Sequence, residues 1–240
     1  KNYLKIALRN LIKYKKYSFI NISGLAIGLA SVMLILLWVQ DELSFDKFHK
    51  NSKHIYLTVR SELGDPSVAT SMQLGHTLTA EIPEVLNATA YVSFQEAVPC
   101  YLQYEDKGFT ETFALIDSEF FNIFSFEFLS GDIQSLFTNL NSLILTEKIA
   151  QKYFGTSDAV GKSLQLTILG HTNILTITGI LKNLPKNTHI KQDIFLNRKI
   201  MIEILKQAGV KDWDSWGNRS VTTYIQVQKN TDISQLEPKL

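Results

Sequence analysis

The run Gly155-Thr156-Ser157-Asp158-Ala159-Val160-Gly161-Lys162-Ser163 comes nearest to known chemistry, because two glycines, a lysine and a hydroxyl are the ingredients of a phosphate-cradling loop. Five residues separate its glycines instead of four, and its setting is reversed. A phosphate loop needs a strand before it and a helix after it, so that successive amides and the helix N-terminus face the anion. Here helix-forming 147–154 precedes the run and β-rich 164–169 follows, so it reads as a helix-to-strand turn. The imidazoles are scattered: His49 and His54 are five apart, and His76, His171 and His189 stand alone, which leaves no i, i+4 pair to grip a metal. His189, Asp193 and Asn187 lie close enough to line a polar site, although capping and turn hydrogen bonds account for them better. No Gly-x-Ser-x-Gly singles out a nucleophilic serine. A single cysteine, Cys100, excludes an internal disulfide and any Cys-cluster zinc site. Asn87-Ala88-Thr89 and Asn218-Arg219-Ser220 match the glycosylation pattern, which matters only in a eukaryotic cell. The sequence therefore offers no catalytic residue, no cofactor-binding residue and no metal ligand, and it calls for no cofactor.

The elements around these residues are strongly patterned. The 240 residues are 45% hydrophobic and 20% charged with only 12 Gly and 5 Pro, which excludes a disordered or collagen-like chain and allows one or two domains. A net charge of +1 gives no electrostatic reason to expect nucleic acid. That total hides an asymmetry, since Lys1, Lys5, Arg9, Lys13, Lys15 and Lys16 occupy the first 17 residues without an acid, and the other 223 carry a net of −5. Between these parts, Phe19–Val39 runs for 21 residues with no charge. As a helix rising about 1.5 Å per residue, it spans the roughly 30 Å hydrocarbon core of a bilayer. A buried core helix of this length would keep a polar stripe. A cleaved signal peptide would have a shorter apolar run ending at a small-x-small site, whereas this one continues into Leu36-Leu37-Trp38-Val39-Gln40-Asp41. Residues 18–40 thus read as an uncleaved transmembrane helix.

Its basic flank places residues 1–17 in the cytoplasm and residues 41–240 outside, with Trp38 at the outer boundary and Tyr14 and Tyr17 near the inner one. Leu4, Ala7, Leu8, Leu11 and Ile12 share a helical spacing with cations around them, the pattern of an amphipathic helix lying along inner headgroups. Gly24 and Gly28 form G-x-x-x-G inside the span, the one candidate site, where a second membrane helix could pack closely.

Beyond the span, Asp41–Asn51 is expected to prolong the helix, and Ile55–Arg60 alternates as a strand. A helix over Thr70–Ile82 and a strand over Ala88–Phe94 complete a β-α-β unit. Pro99–Tyr104 and Phe109–Ile116 read as a hairpin with Gly108 available for a positive-φ position. Phe120, Phe121, Phe124, Phe126 and Phe128 pass from helical to alternating spacing, which predicts a helical turn feeding an extended core segment. After a strand at Ser142–Leu145, Thr146 caps a helix that Gly155 ends. Gly170-His171-Thr172-Asn173 joins strands Leu164–Leu169 and Ile174–Leu181. Strand Ile194–Leu196, helix Lys199–Ala208, strand Tyr224–Gln228 and a last helix from Ser234 follow. No Gly, Ser or Pro linker divides this region, so the fold class is α+β with intertwined subdomains.

These segments together resemble MacB/FtsX-like ABC transporter permeases. NYLKIALRNLIKYKKYSFINISGLAIGLA is similar to that family's first two helices, FDKFHKNSKHIY to its first periplasmic segment and SEFFNIFSFEFLSGD to its phenylalanine-rich turn. LILTEKIAQKYFGTSDAVGKSL and LKNLPKNTHIKQD resemble its later signature, and all fall in family order. Ala159 stands where the family often has proline, and Lys53-His54 where an Asp-Arg pair is common. The resemblance implies a bacterial inner-membrane protein whose residues 41–240 form a periplasmic MacB-like core domain. A porter-like β-α-β subdomain would use 53–97 and 183–240, with a mainly β subdomain, 98–182, inserted. It implies a permease component, not an enzyme, that couples ATP hydrolysis by a partner to export or extraction of a substrate. The expected partners are a cytoplasmic ATPase subunit, a second permease copy or second half of the same chain, the lipid bilayer and a periplasmic adaptor protein. The chain would be the first part of a longer permease, its apolar helix running on into Gln40-Asp41-Glu42 as a lever. Two other classes share an anchor and an outer domain: the ectodomain of a membrane-bound sensor, and an anchored periplasmic enzyme.

Overall fold

The computed structural model describes residues 2–240 apart from 63, 95–97, 99 and 138. The chain divides into two compact units, residues 1–45 and 46–240.

The first unit is α1 (Asn2–Lys13) and α2 (Lys15–Ser44), separated at Tyr14, where φ −109° and ψ 50° leave the helical region. Over its most apolar 18 residues α2 has a mean hydropathy of 2.4 and is unburied, and it is long and apolar enough to cross a membrane. The prolongation expected through Asn51 stops at Ser44, because Phe45 is extended and Asp46 is left-handed at φ 54°.

The second unit begins with β1 (Ile55–Leu57), β2 (Arg60–Glu62), β3 (Asp65–Ser67), β4 (Thr70–Ser71), α3 (Leu74–Glu81) and β5 (Val85–Phe94). Its middle holds β6 (Cys100–Tyr104), β7 (Lys107–Glu111), β8 (Phe113–Ile116), α4 (Phe120–Ile123), β9 (Phe128–Ser130), β10 (Ser142–Thr146) and α5 (Glu147–Phe154). It ends with β11 (Ser163–Ile168), β12 (His171–Leu181), β13 (Ile194–Asn197), α6 (Arg198–Gln207), β14 (Arg219–Val227) and α7 (Ile233–Leu236). Among the described residues, twelve strands form one sheet in the order β1-β14-β5-β8-β13-β10-β12-β11-β6-β7, with β4 also on β14 and β9 on β12. The β8–β13 and β10–β12 pairs are parallel and the others antiparallel, so the unit is mixed α+β.

Strands β8, β10 and β13 are buried along their whole length because both faces of the sheet are covered there. Phe113, Leu115, Leu143, Leu145 and Leu196 pack in the layer that holds α5 and α6. Their neighbours Ala114, Ile116, Ile144 and Phe195 pack on the opposite side, against the phenylalanines of α4 and the chain after it. This aromatic layer follows the change in spacing read from the sequence, with Phe120, Phe121 and Ile123 on the helical turn and Phe124 and Phe126 on alternate extended positions.

Three turns differ from expectation for physical reasons. Thr70 and Ser71 open no helix; they pair with β14, and the Thr70 hydroxyl donates to the Val221 carbonyl at 3.0 Å. The β6–β7 turn takes its positive φ at Glu105 and not at Gly108, over which the exposed end of the Tyr101 side chain lies. The β11–β12 turn is tighter than read, with Leu169 at φ 50° and Gly170 at φ 80°, the primed geometry that matches strand twist.

Candidate functional site

Immediately after α2, the first residue of the second unit is anchored by main chain and side chain together. The Asp46 N–H donates to the Asn187 carbonyl at 2.9 Å. Its carboxylate accepts from the Thr188 hydroxyl at 2.6 Å and the His189 amide at 3.3 Å, and its other oxygen meets His189 Nδ1 at 2.7 Å. Left-handed backbone is uncommon for residues other than glycine, but Asp tolerates it through its short polar side chain. Thr188 is fully buried and also accepts from the Ile190 amide, so the loop before β13 is rigidly shaped to receive the carboxylate.

A second contact follows three residues on. His49 is 3% exposed, and its Nδ1 accepts from the Ser125 amide at 3.0 Å, while the Lys50 amide donates to the Ser125 hydroxyl. With Nδ1 as acceptor, the neutral ring carries its proton on Nε2, which faces Asp46 at 3.8 Å, beyond hydrogen-bonding range. The His49 ring lies 5.1 Å from both Phe124 and Phe126. Phe124 and Tyr224 close the group around His189 at 5.7 and 5.3 Å. Three stretches far apart in sequence, 46–50, 124–126 and 187–190, therefore meet beside β14.

Burial pushes the Asp46 carboxyl up, but the hydroxyl of Thr188 and the imidazole and amide of His189 outweigh it and hold it below the ordinary carboxylate value. Burial, with His189 acting in the same sense and Asp46 against it, holds His49 down at about 4. Burial, then Tyr91 and Asp46, raises the Tyr224 phenol far above its usual range. For His49 the folded pKa lies below the unfolded value of about 6.5, so the unfolded chain binds more protons between those values. Stability is therefore expected to be intact above about pH 6.5 and to decline toward about pH 4. Melting temperatures across that interval check this, and His49→Gln should flatten the slope.

The arrangement ties the start of the second unit to two distant segments, and among the described residues no group of three His, Cys, Asp or Glu is placed to hold a metal. The structure separates the polar residues that the sequence brought close, since Asp193 accepts from Thr146 and Lys148 while His189 turns to Asp46. The phosphate-loop-like run lies between α5 and β11, with Gly155 at φ 68° ending the helix. Gly24 and Gly28 lie on α2, and a Cβ on either would meet no atom within 4 Å. Sequence reasoning missed the meeting of Asp46 with Thr188 and His189; its only signal was that FDKFHK and NTHIKQD both lie in segments resembling one family.

No curated protein sequence matches the chain. Among solved structures, a domain described as that of a permease from Porphyromonas gingivalis aligns over 80% of this chain and 83% of its own, at 20% identity and a TM-score of 0.65. The periplasmic region of MacB from Actinobacillus actinomycetemcomitans aligns over 77% and 79%, at 11% identity and a TM-score of 0.53. At these identities the likeness is one of fold. The MacB-like periplasmic core domain family matches residues 18–240, and the chain therefore belongs to that family, the periplasmic domain of ABC-type transporter permeases.

Proposed function

We propose that the chain works as the mechanical element of an inner-membrane permease, with residues 1–17 in the cytoplasm, 18–40 crossing the bilayer and 41–240 in the periplasm. A cytoplasmic ATPase subunit would supply the work, and the outer unit would use it for export or extraction of a substrate, helped by a periplasmic adaptor protein. Within that unit the reading keeps a porter-like part, 53–97 and 183–240, and an inserted part, 98–182. The observation that carries this reading is the fastening of Asp46 to the 187–189 loop directly after the apolar helix. Asp46 is hydrogen-bonded to the loop that leads into β13, so a pull arriving along the chain at residue 46 would be passed to that loop. Closely packed elements pass on such displacements as discrete shifts, because packed interiors resist continuous deformation.

Gly24 and Gly28 would bring a further membrane helix, from a second permease copy or a second half of the same chain, close to α2. Gly24→Leu with Gly28→Leu is expected to reduce stimulation of the co-purified ATPase by about tenfold, a loss of about 1.4 kcal/mol of coupling, while leaving the melting of 46–240 unchanged. The full-length permease, purified from its own membrane, tests the whole reading. An ATPase that co-purifies and changes its turnover on Asp46 substitution supports it, and a preparation with no associated ATPase refutes it.

A further inference from the structure

After α2 the chain winds through three reverse turns. The His49 N–H donates to the Asp46 carbonyl at 3.4 Å, the Ser52 N–H to the His49 carbonyl at 3.1 Å and the His54 N–H to the Asn51 carbonyl at 2.8 Å. Turns closed between i and i+3 bring every third residue to the same side. Asp46, His49 and Ser52 make the inner side, where Asp46 is held by Thr188 and His189 and His49 by the Ser125 amide. One position on, Lys47, Lys50 and Lys53 are all exposed. The Lys50 main chain shares in the inner contacts through its N–H to Ser125, so only its side chain is left outside. Among the described residues none of these three ammonium groups meets a carboxylate. Asp41 and Glu42 stand earlier, on α2 itself, so the cations lie together and the acids apart from them. Phe45 and Phe48 are interleaved with the lysines and stay 37% and 36% exposed.

Lys47 and Lys50 come three and six residues after Ser44, where α2 ends. A chain extends at most about 3.5 Å per residue, which keeps their Cα atoms within roughly 11 and 21 Å of the helix end at any angle between the two units. With 18–40 crossing the bilayer, the remaining turn of α2 climbs about 6 Å, through a headgroup layer about 5–8 Å deep. Lysine stems swing their charged heads several Å further, and an exposed charge is felt over about 8 Å in physiological salt.

The residue type narrows the partner. A guanidinium fork suits one fixed anion, whereas lysine is a compact, strongly hydrated point charge on a flexible stem. Three of them on a convex turn surface suit a field of anions that rearranges around them. Lys and Arg are otherwise retained on the inner side of a span, and these three stand within about 15 residues of its outer end, against that bias.

We propose that the outer face of 45–53, formed by Lys47, Lys50 and Lys53 with Phe45 and Phe48 among them, is an interface for the acidic phospholipid headgroups of the outer leaflet. The proposal rests on the reading of 18–40 as a membrane span, and it does not depend on coupling to an ATPase. Lipid on one side and the 187–189 loop on the other then grip the same turns.

The test uses the full chain in nanodiscs and three photoreactive lipids, with the cross-linked peptides located by mass spectrometry. Phosphatidylglycerol and phosphatidylcholine each carry a diazirine at the headgroup, and a second phosphatidylcholine carries one in its acyl chain. The headgroup phosphatidylglycerol probe is expected to label 45–54 about tenfold more than its phosphatidylcholine counterpart, since a lysine near an anionic surface is favoured by roughly fivefold. K47Q with K50Q and K53Q should remove that preference while leaving the adducts on 1–17, whose cations are untouched, as an internal reference. Arginine at the same three positions should restore it, and salt at about 1 M, where screening shortens to about 3 Å, should suppress it. Melting of the glutamine variant within about 2 °C of the parent would show that the inner contacts survive. Equal labelling of 45–54 by the two headgroup probes, or a preference unchanged in the glutamine variant, would overturn the proposal and leave the lysines to an acidic protein. The acyl-chain probe separates the two readings: if it fails to label 18–40, the span and the interface fall together, and if it labels 18–40 without a headgroup preference at 45–54, the interface alone falls.

Discussion

Asp46→Ala is expected to lower the melting temperature of the 46–240 unit by roughly 5–10 °C. The carboxylate accepts from Thr188, the His189 amide and the His189 ring at 2.6, 3.3 and 2.7 Å. Alanine leaves the Thr188 hydroxyl, which is fully buried, with no acceptor for its proton, and a stranded buried group costs about 1–3 kcal/mol. The ionic part counts for less, because the Asp46 side chain is 27% exposed and partly screened. The total is about 2–3 kcal/mol, and each kcal/mol moves a domain of this size by about 2–4 °C. Alanine also fits the left-handed backbone at φ 54° less well than Asp does.

Asp46→Asn separates anchoring from folding. Asparagine tolerates the left-handed conformation and keeps an oxygen for Thr188, so its melting should stay within roughly 3 °C of the parent. It loses the charge facing His189, and in an assembled permease it should weaken the response of ATPase turnover to the outer domain well before it weakens the fold. Equal melting of Asp46→Ala and the parent would show that these hydrogen bonds hold nothing, and an Asp46→Asn permease that couples normally would show that they transmit nothing.

Phe120→Ala is expected to be more damaging to stability, by about 3–5 kcal/mol or roughly 10–15 °C. Phe120 is fully buried, with Phe121, Phe124, Phe195, Tyr91 and Phe126 at centroid separations of 5.1, 4.8, 5.8, 6.0 and 6.2 Å. Two of these neighbours, Phe124 and Phe126, also pack on His49, so the void opens directly behind the Asp46 anchor. Phe120→Leu, which leaves a smaller void, should recover more than half of the loss. If chemical denaturation gives Phe120→Ala a deficit below about 1 kcal/mol, the aromatic layer is not the core that its burial indicates.

Features set by local spacing were legible in the chain, and those set by distant meetings were not. The long apolar helix was legible because its 21 consecutive uncharged residues form one unbroken run, and the aromatic layer because the change of period occurs within a few residues. The helix end at Gly155 was legible because one glycine supplies the whole signal. The anchor was hidden because 143 residues separate Asp46 from His189, and neither flank carries a pattern that names the other. Thr70 was read as helical because a two-residue strand has no period; only its hydroxyl contacts with β14 decide its state. The β11–β12 turn was placed too late because Leu169, a residue that rarely takes positive φ, occupies its first corner. Gly108 was assigned a turn role, but the turn's positive φ falls on Glu105, a residue the spacing gave no reason to choose.

Strand β14 is hydrogen-bonded along both edges, to β5 on one side and to β1 and β4 in succession on the other. Tyr224 points into the aromatic layer beside His189, and the next residue, Ile225, packs on the opposite face with Leu78, Val85 and Leu236. A strand clamped in this way opens only with the sheet, so its amides should be among the slowest in the molecule to exchange with deuterium. A shift imposed at Tyr224 would then move Arg219 and Ile225 by the same translation. The Asp46 anchor and the far end of β14 would share displacement through one inextensible ribbon, and Asp46→Asn should be readable as changed deuterium uptake along residues 219–227.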